Sequence, residues 1–251
     1  MANANTPTPR LLDEADIRPG MRILDVGCAM GLLTRELAVR AGPSGEVVGI
    51  DMDAARLEQA RAEEPGESAA PITYRQADLG EDLPDLGLFD VIVGRRVLMY
   101  LPDPAAVLAK LARLLRPGGT MAWHEHCGAS QPFSTVPLPQ HARLADLIWQ
   151  TIALEGGRPG TALCLPAMLR DCGLVPGPLR VEAIVIEPDA PGGAAAMARM
   201  MLPRMVAAGL IAQDTFDGEG FVTALEAERA QAAAPIIWDH AYLVIARKPA
   251  A

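Results

Sequence analysis

The chain has 251 residues, 50% of them apolar, and carries 22 Lys and Arg against 31 Asp and Glu for a net charge of −9. That length and apolar content suffice for one full core, so residues 1–251 read as a single domain with insertions. The basic residues are scattered, and duplex nucleic acid needs a clustered basic surface, so nucleic acid is set aside as a substrate.

Residues 1–20 hold Pro7, Pro9, Asp13, Glu14 and Asp16 with no long apolar stretch and read as an N-terminal segment, with neither a signal peptide nor a membrane anchor expected. No later stretch approaches transmembrane length, so no membrane partner is expected. Cys28, Cys127, Cys164 and Cys172 have no CxxC or zinc-like spacing and read as free thiols of a reducing cytoplasm. A cytoplasmic location is the expectation, and a homodimer is left open.

Met21–Ala38 joins a short apolar run, Ile23, Leu24 and Val26, to a turn punctuated by Gly27 and Gly31. From Leu32 the spacing becomes helical, with Leu33, Leu37 and Ala38 on one face. Glycines there allow positive φ and close approach of a ligand, and the helix amides point into the same crevice. A second apolar strand (Val47, Val48, Ile50) ends at Asp51, twenty positions after Gly31, where a carboxylate can accept both hydroxyls of a ribose. This fits nicotinamide dinucleotides and adenosyl cofactors alike, although Thr34 stands where a dinucleotide fingerprint would place its third glycine.

Ile72–Asp78 reads as a third strand ending in an acid, Phe89–Gly94 as a fourth, and Leu114–Glu125 as the close of a helix through Pro117-Gly118-Gly119 into a fifth. Taken in order, Ile23–Cys28, Gly49–Asp51, Ala77–Asp78, Phe89–Val93 and Leu114–Gly119 resemble the motifs of the class I S-adenosylmethionine-dependent methyltransferases, over about the first 125 residues. The resemblance implies an α/β, Rossmann-like, doubly wound seven-stranded sheet with its last strand antiparallel, and S-adenosyl-L-methionine as cofactor. It implies that Gly27, Cys28, Ala29 and Gly31 wrap the methionine and ribose and that Asp51 holds the ribose hydroxyls. Met52 and Leu79 would flank the adenine, Asp78 would take its amine, and Arg95 would lie near the methionine moiety. One departure is Ala29, where the family usually has glycine. The expectation is that Ala29 occupies an ordinary backbone region at little cost.

The core is placed at residues 21–125, with helical substrate-capping insertions at 126–172 and 188–238. Pro132–Pro139 breaks regular structure, Gln140–Glu155 reads as an amphipathic helix, and Leu165–Cys172 as a short one before a sixth strand at Leu179–Glu187. Gly192-Gly193 opens a helix through Met197, Met200, Met201 and Met205, Phe221–Ala233 forms another, and Asp239–Arg247 is the seventh strand. The methionines serve either as packing or as a pliable apolar wall for a substrate.

In an open α/β sheet the acceptor lies outside the carboxyl ends of the strands, which brings in Arg95, Arg96, Tyr100, His124, Glu125 and His126. Imidazole and carboxylate can both take a proton near neutral pH, so Glu125, His126 and His124 are the catalytic candidates. Alternation along a strand puts the two histidines on one face and Glu125 on the other. No third metal ligand is identifiable, so no metal is expected. His141, Trp149 and His240 add candidates without distinguishing among them. The reading is a methyltransferase acting on a small, mostly apolar metabolite of natural-product, quinone or terpenoid kind. The alternatives are a cyclase or isomerase that keeps the cofactor without methylating, or a regulatory protein on the same scaffold.

Overall fold

A computed structural model describes residues 7–63, 66, 68–190 and 193–250. An N-terminal helix, α1 (Pro7–Glu14), precedes an alternating series: β1 (Arg22–Val26), α2 (Leu32–Ala41), β2 (Glu46–Asp51), α3 (Ala54–Arg61), β3 (Ile72–Gln76), β4 (Phe89–Arg95), α4 (Pro104–Arg113) and β5 (Leu115–Glu125). A single 3-10 turn, Leu98–Tyr100, follows β4. The second half holds α5 (Pro139–Leu154), α6 (Thr161–Asp171), β6 (Val175–Pro176), β7 (Arg180–Ile186), α7 (Gly193–Ala207), α8 (Gly218–Ala232) and β8 (Ile236–Arg247).

The strands form one sheet in the order β3-β2-β1-β4-β5-β8, with β7 and the two-residue β6 both on the outer side of β8. The first five pair in parallel, and β8 runs antiparallel to β5, β6 and β7. Parallel strands covered on both faces must be apolar throughout, and β1 (Ile23, Leu24, Val26) and β4 (Val91, Ile92, Val93) are accordingly buried. One face carries Ile23, Val47, Val91 and Val93 against Leu33, Leu37 and Ala38 of α2. Further along it, Ala122, Ala241 and Leu243 meet Leu11 and Ala15 of α1. The other face packs Leu24, Ile50, Ile92, Met121 and Trp123 against Leu108 and Leu111 of α4 and Leu165 and Leu169 of α6.

The N-terminal segment contains a docked helix, α1, whose Leu11 and Leu12 are buried. Of the two helices within 126–172, α6 lies on the sheet, whereas α5 joins α7 and α8 in a separate bundle through Leu144, Ala198, Met201, Met205, Phe221 and Leu225. Met201 and Met205 are buried in that bundle while Met200 is exposed. Gly192 lies outside the described residues.

Candidate cofactor and acceptor site

The β1-α2 turn is built by its glycines. Gly27 (φ +67°) and Gly31 (φ +73°) both take left-handed backbone. Space demands glycine as well: a Cβ on Gly27 would come within 2.5 Å of Val97, and one on Gly31 within 2.2 Å of the Tyr74 hydroxyl. Ala29 departs from the expectation, because it sits at φ +47° rather than in an ordinary region. An L-residue with a Cβ pays about 1–2 kcal/mol there. The conformation is held by the Ala29 amide, which donates to Asp51 Oδ2 at 2.8 Å. Gly31 caps α2 without any side-chain hydrogen bond, which leaves first-turn amides of that helix without a side-chain acceptor.

Asp51, at the end of β2, also accepts from the Asp53 amide at 3.0 Å. Each carboxylate oxygen has two lone pairs, so half-buried Asp51 keeps capacity for hydroxyl donors. Met52 is 67% exposed beside it, and Leu79 is buried while Asp78 is exposed. Asp78 Oδ1 accepts from the Gly80 amide. Cys28 is buried near Gly49, and burial pushes its thiol pKa up, so it stays protonated.

Asp25, inside β1, was not among the predicted site residues. It is buried and accepts from Thr34 Oγ1 at 2.6 Å. Burial raises its pKa to about 7, against the opposing effects of the Thr34 hydroxyl and the Arg95 guanidinium. An acid within an otherwise apolar strand, Ile23-Leu24-Asp25-Val26, is the signal that could have found it. Arg95 pairs in register with His124, and burial lowers its pKa, with the Arg96 charge adding to the effect.

The β5 end separates its three polar residues by face, as alternation requires. Glu125 is fully buried, and its Oε1 accepts from the amides of Val97 (3.0 Å) and Leu98 (2.9 Å). Its Oε2 has no partner. Burial lifts the carboxyl to about 7 although those amide bonds oppose it. On the other face the rings of His124 and His126 stack with centroids 5.3 Å apart. Thr8 Oγ1 of α1 lies 2.9 Å from His124 Nδ1, and His124 Nε2 is buried without a partner. Burial, His126 and the two arginines push the His124 pKa to about 2, so its ring is neutral near pH 7. His126 is bonded through Nδ1 to Asp239 Oδ2 at 2.5 Å.

Thr8 and Asp239 were also missed. They are 116 and 113 positions from their partners, so no local pattern connects them. His240 reaches Ser130, and His141 is engaged with Glu228 in the helical bundle, away from the strand-end group. Tyr100 lies under the Arg204 guanidinium. Among the described residues no three His, Cys, Asp or Glu side chains gather closely enough to hold a metal ion. No helix among them is long and apolar enough to cross a membrane.

Residues 17–154 match the family model for a methyltransferase domain. Nocamycin O-methyltransferase of Saccharothrix syringae is 40% identical over 110 residues, 44% of this chain and 39% of that protein. A ubiquinone biosynthesis O-methyltransferase of Hahella chejuensis is 39% identical over 112 residues, 44% of this chain and 45% of that protein. The match therefore spans less than half the length of these relatives. A solved S-adenosylmethionine-dependent methyltransferase from Methanosarcina mazei superposes with a TM-score of 0.58 at 15% identity, covering 96% of this chain and 98% of that one, which is a likeness of fold. With its family model spanning more than half of the sequence, the chain belongs to the class I S-adenosylmethionine-dependent methyltransferases.

Proposed function

We propose that this protein transfers a methyl group from S-adenosylmethionine to a hydroxyl of a small, mostly apolar metabolite of natural-product, quinone or terpenoid kind. The observation that carries the reading is the Gly27–Gly31 turn closed by Asp51: no Cβ fits at either glycine, and the acid at its mouth retains free acceptor capacity. Gly27, Cys28, Ala29 and Gly31 would hold the methionine and ribose, with Arg95 near the methionine end. Asp51 would hold the ribose, and Met52, Asp78 and Leu79 the adenine. When bound, the cofactor supplies an electrophilic methyl on a sulfonium.

The chain's own contribution is alignment, exclusion of water and removal of a proton. Residues of the β5 end, His124, Glu125 and His126, are the candidates for the last task. The bundle of α5, α7 and α8 supplies a removable apolar cover, and the hydroxyl acceptor is supported by the names of the relatives. The test is a screen of hydroxyl acceptors with S-adenosylmethionine, reading adenosylhomocysteine. One adenosylhomocysteine per methylated product is expected. Turnover of an acceptor without adenosylhomocysteine would replace this reading with a cyclase or isomerase. Cofactor binding without any consumption would replace it with a regulatory role.

A further inference from the structure

We propose that His126 and Asp239 form a working dyad, in which the Asp239 carboxylate accepts from His126 Nδ1–H and so presents Nε2 as the atom that takes the acceptor's proton. This rests on the methyltransferase reading above and deepens it by selecting one base from three candidates.

The three differ in what they are free to do. Glu125 is on the opposite face of β5, and its Oε1 is already bonded to the Val97 and Leu98 amides. Its surroundings make it a clamp that fixes the turn after β4, the turn whose Val97 packs against Gly27. His124 is 5% exposed, has its Nδ1 against Thr8, and is held neutral with a pKa of about 2, far below what a base near pH 7 needs. His126 stands two residues beyond His124, just past the end of β5, and its Nδ1 is the ring nitrogen that is bonded.

The partner is chemically suited to the task. An ionised carboxylate is an acceptor only, so it selects the tautomer with the proton on Nδ1 and leaves the Nε2 lone pair available. It also offsets the charge that appears on the ring when Nε2 takes a proton. Asp239 is only 12% exposed by side chain and His126 10%, so the pair is only weakly screened by solvent. The charged and titratable groups on the surrounding elements include His124 on β5, Arg95 at the end of β4 and Arg96 after it, Asp239 and His240 on β8, and, on α1 and β7, the pairs Arg10–Glu182 and Glu14–Arg180. Asp239 is the counter-charge bonded to the ring.

The placement of Asp239 adds a link to the cover. It follows Trp238, which packs with the α5-α7-α8 bundle, and it lies near the start of β8, where the chain returns from that bundle to the sheet. The position of the cover and the orientation of the base are thereby set by the same short stretch of backbone. In the step itself the hydroxyl O–H bond breaks and its proton passes to Nε2. The electron pair left on oxygen forms the bond to the methyl carbon, the carbon–sulfur bond breaks with its pair kept on sulfur, and the imidazolium then returns the proton to water.

The test uses the full chain labelled with 15N-histidine, without cofactor or acceptor, and compares the wild type with Asp239→Asn, an isosteric change. In the wild type, neutral His126 is expected as the Nδ1–H tautomer, and Asp239→Asn is expected to shift it toward Nε2–H. His126→Gln assigns the signal. A wild-type neutral ring already protonated on Nε2, or a tautomer unmoved by Asp239→Asn, would overturn the dyad whatever the enzyme's activity. A second arm supplies S-adenosylmethionine with catechol, whose hydroxyls are acidified by the ring. Asp239→Asn is expected to lower kcat at least tenfold with KM for S-adenosylmethionine within twofold, and unchanged kcat would overturn the dyad. A wild type that binds S-adenosylmethionine and methylates no hydroxyl acceptor contradicts the hydroxyl-transfer reading, while the tautomer arm still decides the dyad.

Discussion

Ala29 holds the β1-α2 turn in a conformation that its own methyl group opposes. It sits at φ +47°, held by its amide bond to Asp51, at a cost of about 1–2 kcal/mol relative to an ordinary region. Ala29→Gly relieves this but adds about 0.5–1 kcal/mol of unfolded-chain entropy. The expected outcome is a variant more stable by up to ~1 kcal/mol in denaturant unfolding, with S-adenosylmethionine affinity equal or higher. Asp51→Ala acts in the opposite sense: it removes the proposed ribose acceptor and frees the strained Ala29 amide. A loss of about 1.5–3 kcal/mol in S-adenosylmethionine binding is expected by calorimetry. Glu125 makes a prediction of its own through pH. Its folded pKa is raised from 4.5 to about 7, so the folded state binds the extra proton between those values. The stability it contributes is full below about 4.5 and is lost as pH rises through 7. Glu125→Gln keeps an oxygen for the Val97 and Leu98 amides without titrating. Unfolding measured from pH 4.5 to 7.5 should show the variant gaining on the wild type as pH rises, and an unchanged difference would place the ionisation elsewhere.

At the scale of elements, what the sequence made legible was whatever is periodic or punctuated. The runs around Ile23, Val47 and Val91 are buried on both faces and so nearly continuous in apolar residues, and β1, β2 and β4 are found there. Gly27 and Gly31 were visible because a tight left-handed turn imposes glycine at fixed spacing, and Asp51, which is bonded to that turn, because it ends an apolar strand. The missed residues are those whose meaning is tertiary. Thr8 and Asp239 acquire theirs only when α1 docks on β5 and β8 returns beside it. The conformation of Ala29 was misread because alanine carries no sign of the φ its neighbours impose. The bundle offers the same lesson. Helix α5 has no side-chain cap of its own, and the amides of Gln140 and His141 are instead bonded by Glu228 of α8, at 2.6 and 3.1 Å. Glu228 also holds His141 Nδ1. Glu228→Ala should therefore loosen α5 and not the sheet. Hydrogen exchange of the first turn of α5 should accelerate by an opening energy lowered about 1–3 kcal/mol, with β1 and β4 amides unchanged.

Across the whole molecule, the parallel part of the sheet carries the Gly27–Gly31 turn at the end of β1 and the His124–His126 group at the end of β5, and the register β1-β4-β5 holds them level. Gly94 pairs with Val26 and with Trp123, so Gly27, Arg95 and His124 follow at one height across three strands. Close approach enforces this arrangement: a Cβ on Gly94 would meet the Trp123 ring at 2.0 Å. The proposed cover is the α5-α7-α8 bundle, from which the chain returns to the sheet along β8. Everything proposed for the acceptor depends on which cofactor occupies the Gly27–Gly31 turn. The direct measurement is calorimetric titration of the wild type with S-adenosylmethionine and, in parallel, with NAD. The account predicts one-to-one binding of S-adenosylmethionine, weakened by Asp51→Ala, and no NAD binding at matched concentration; tight NAD binding with no heat from S-adenosylmethionine would contradict it.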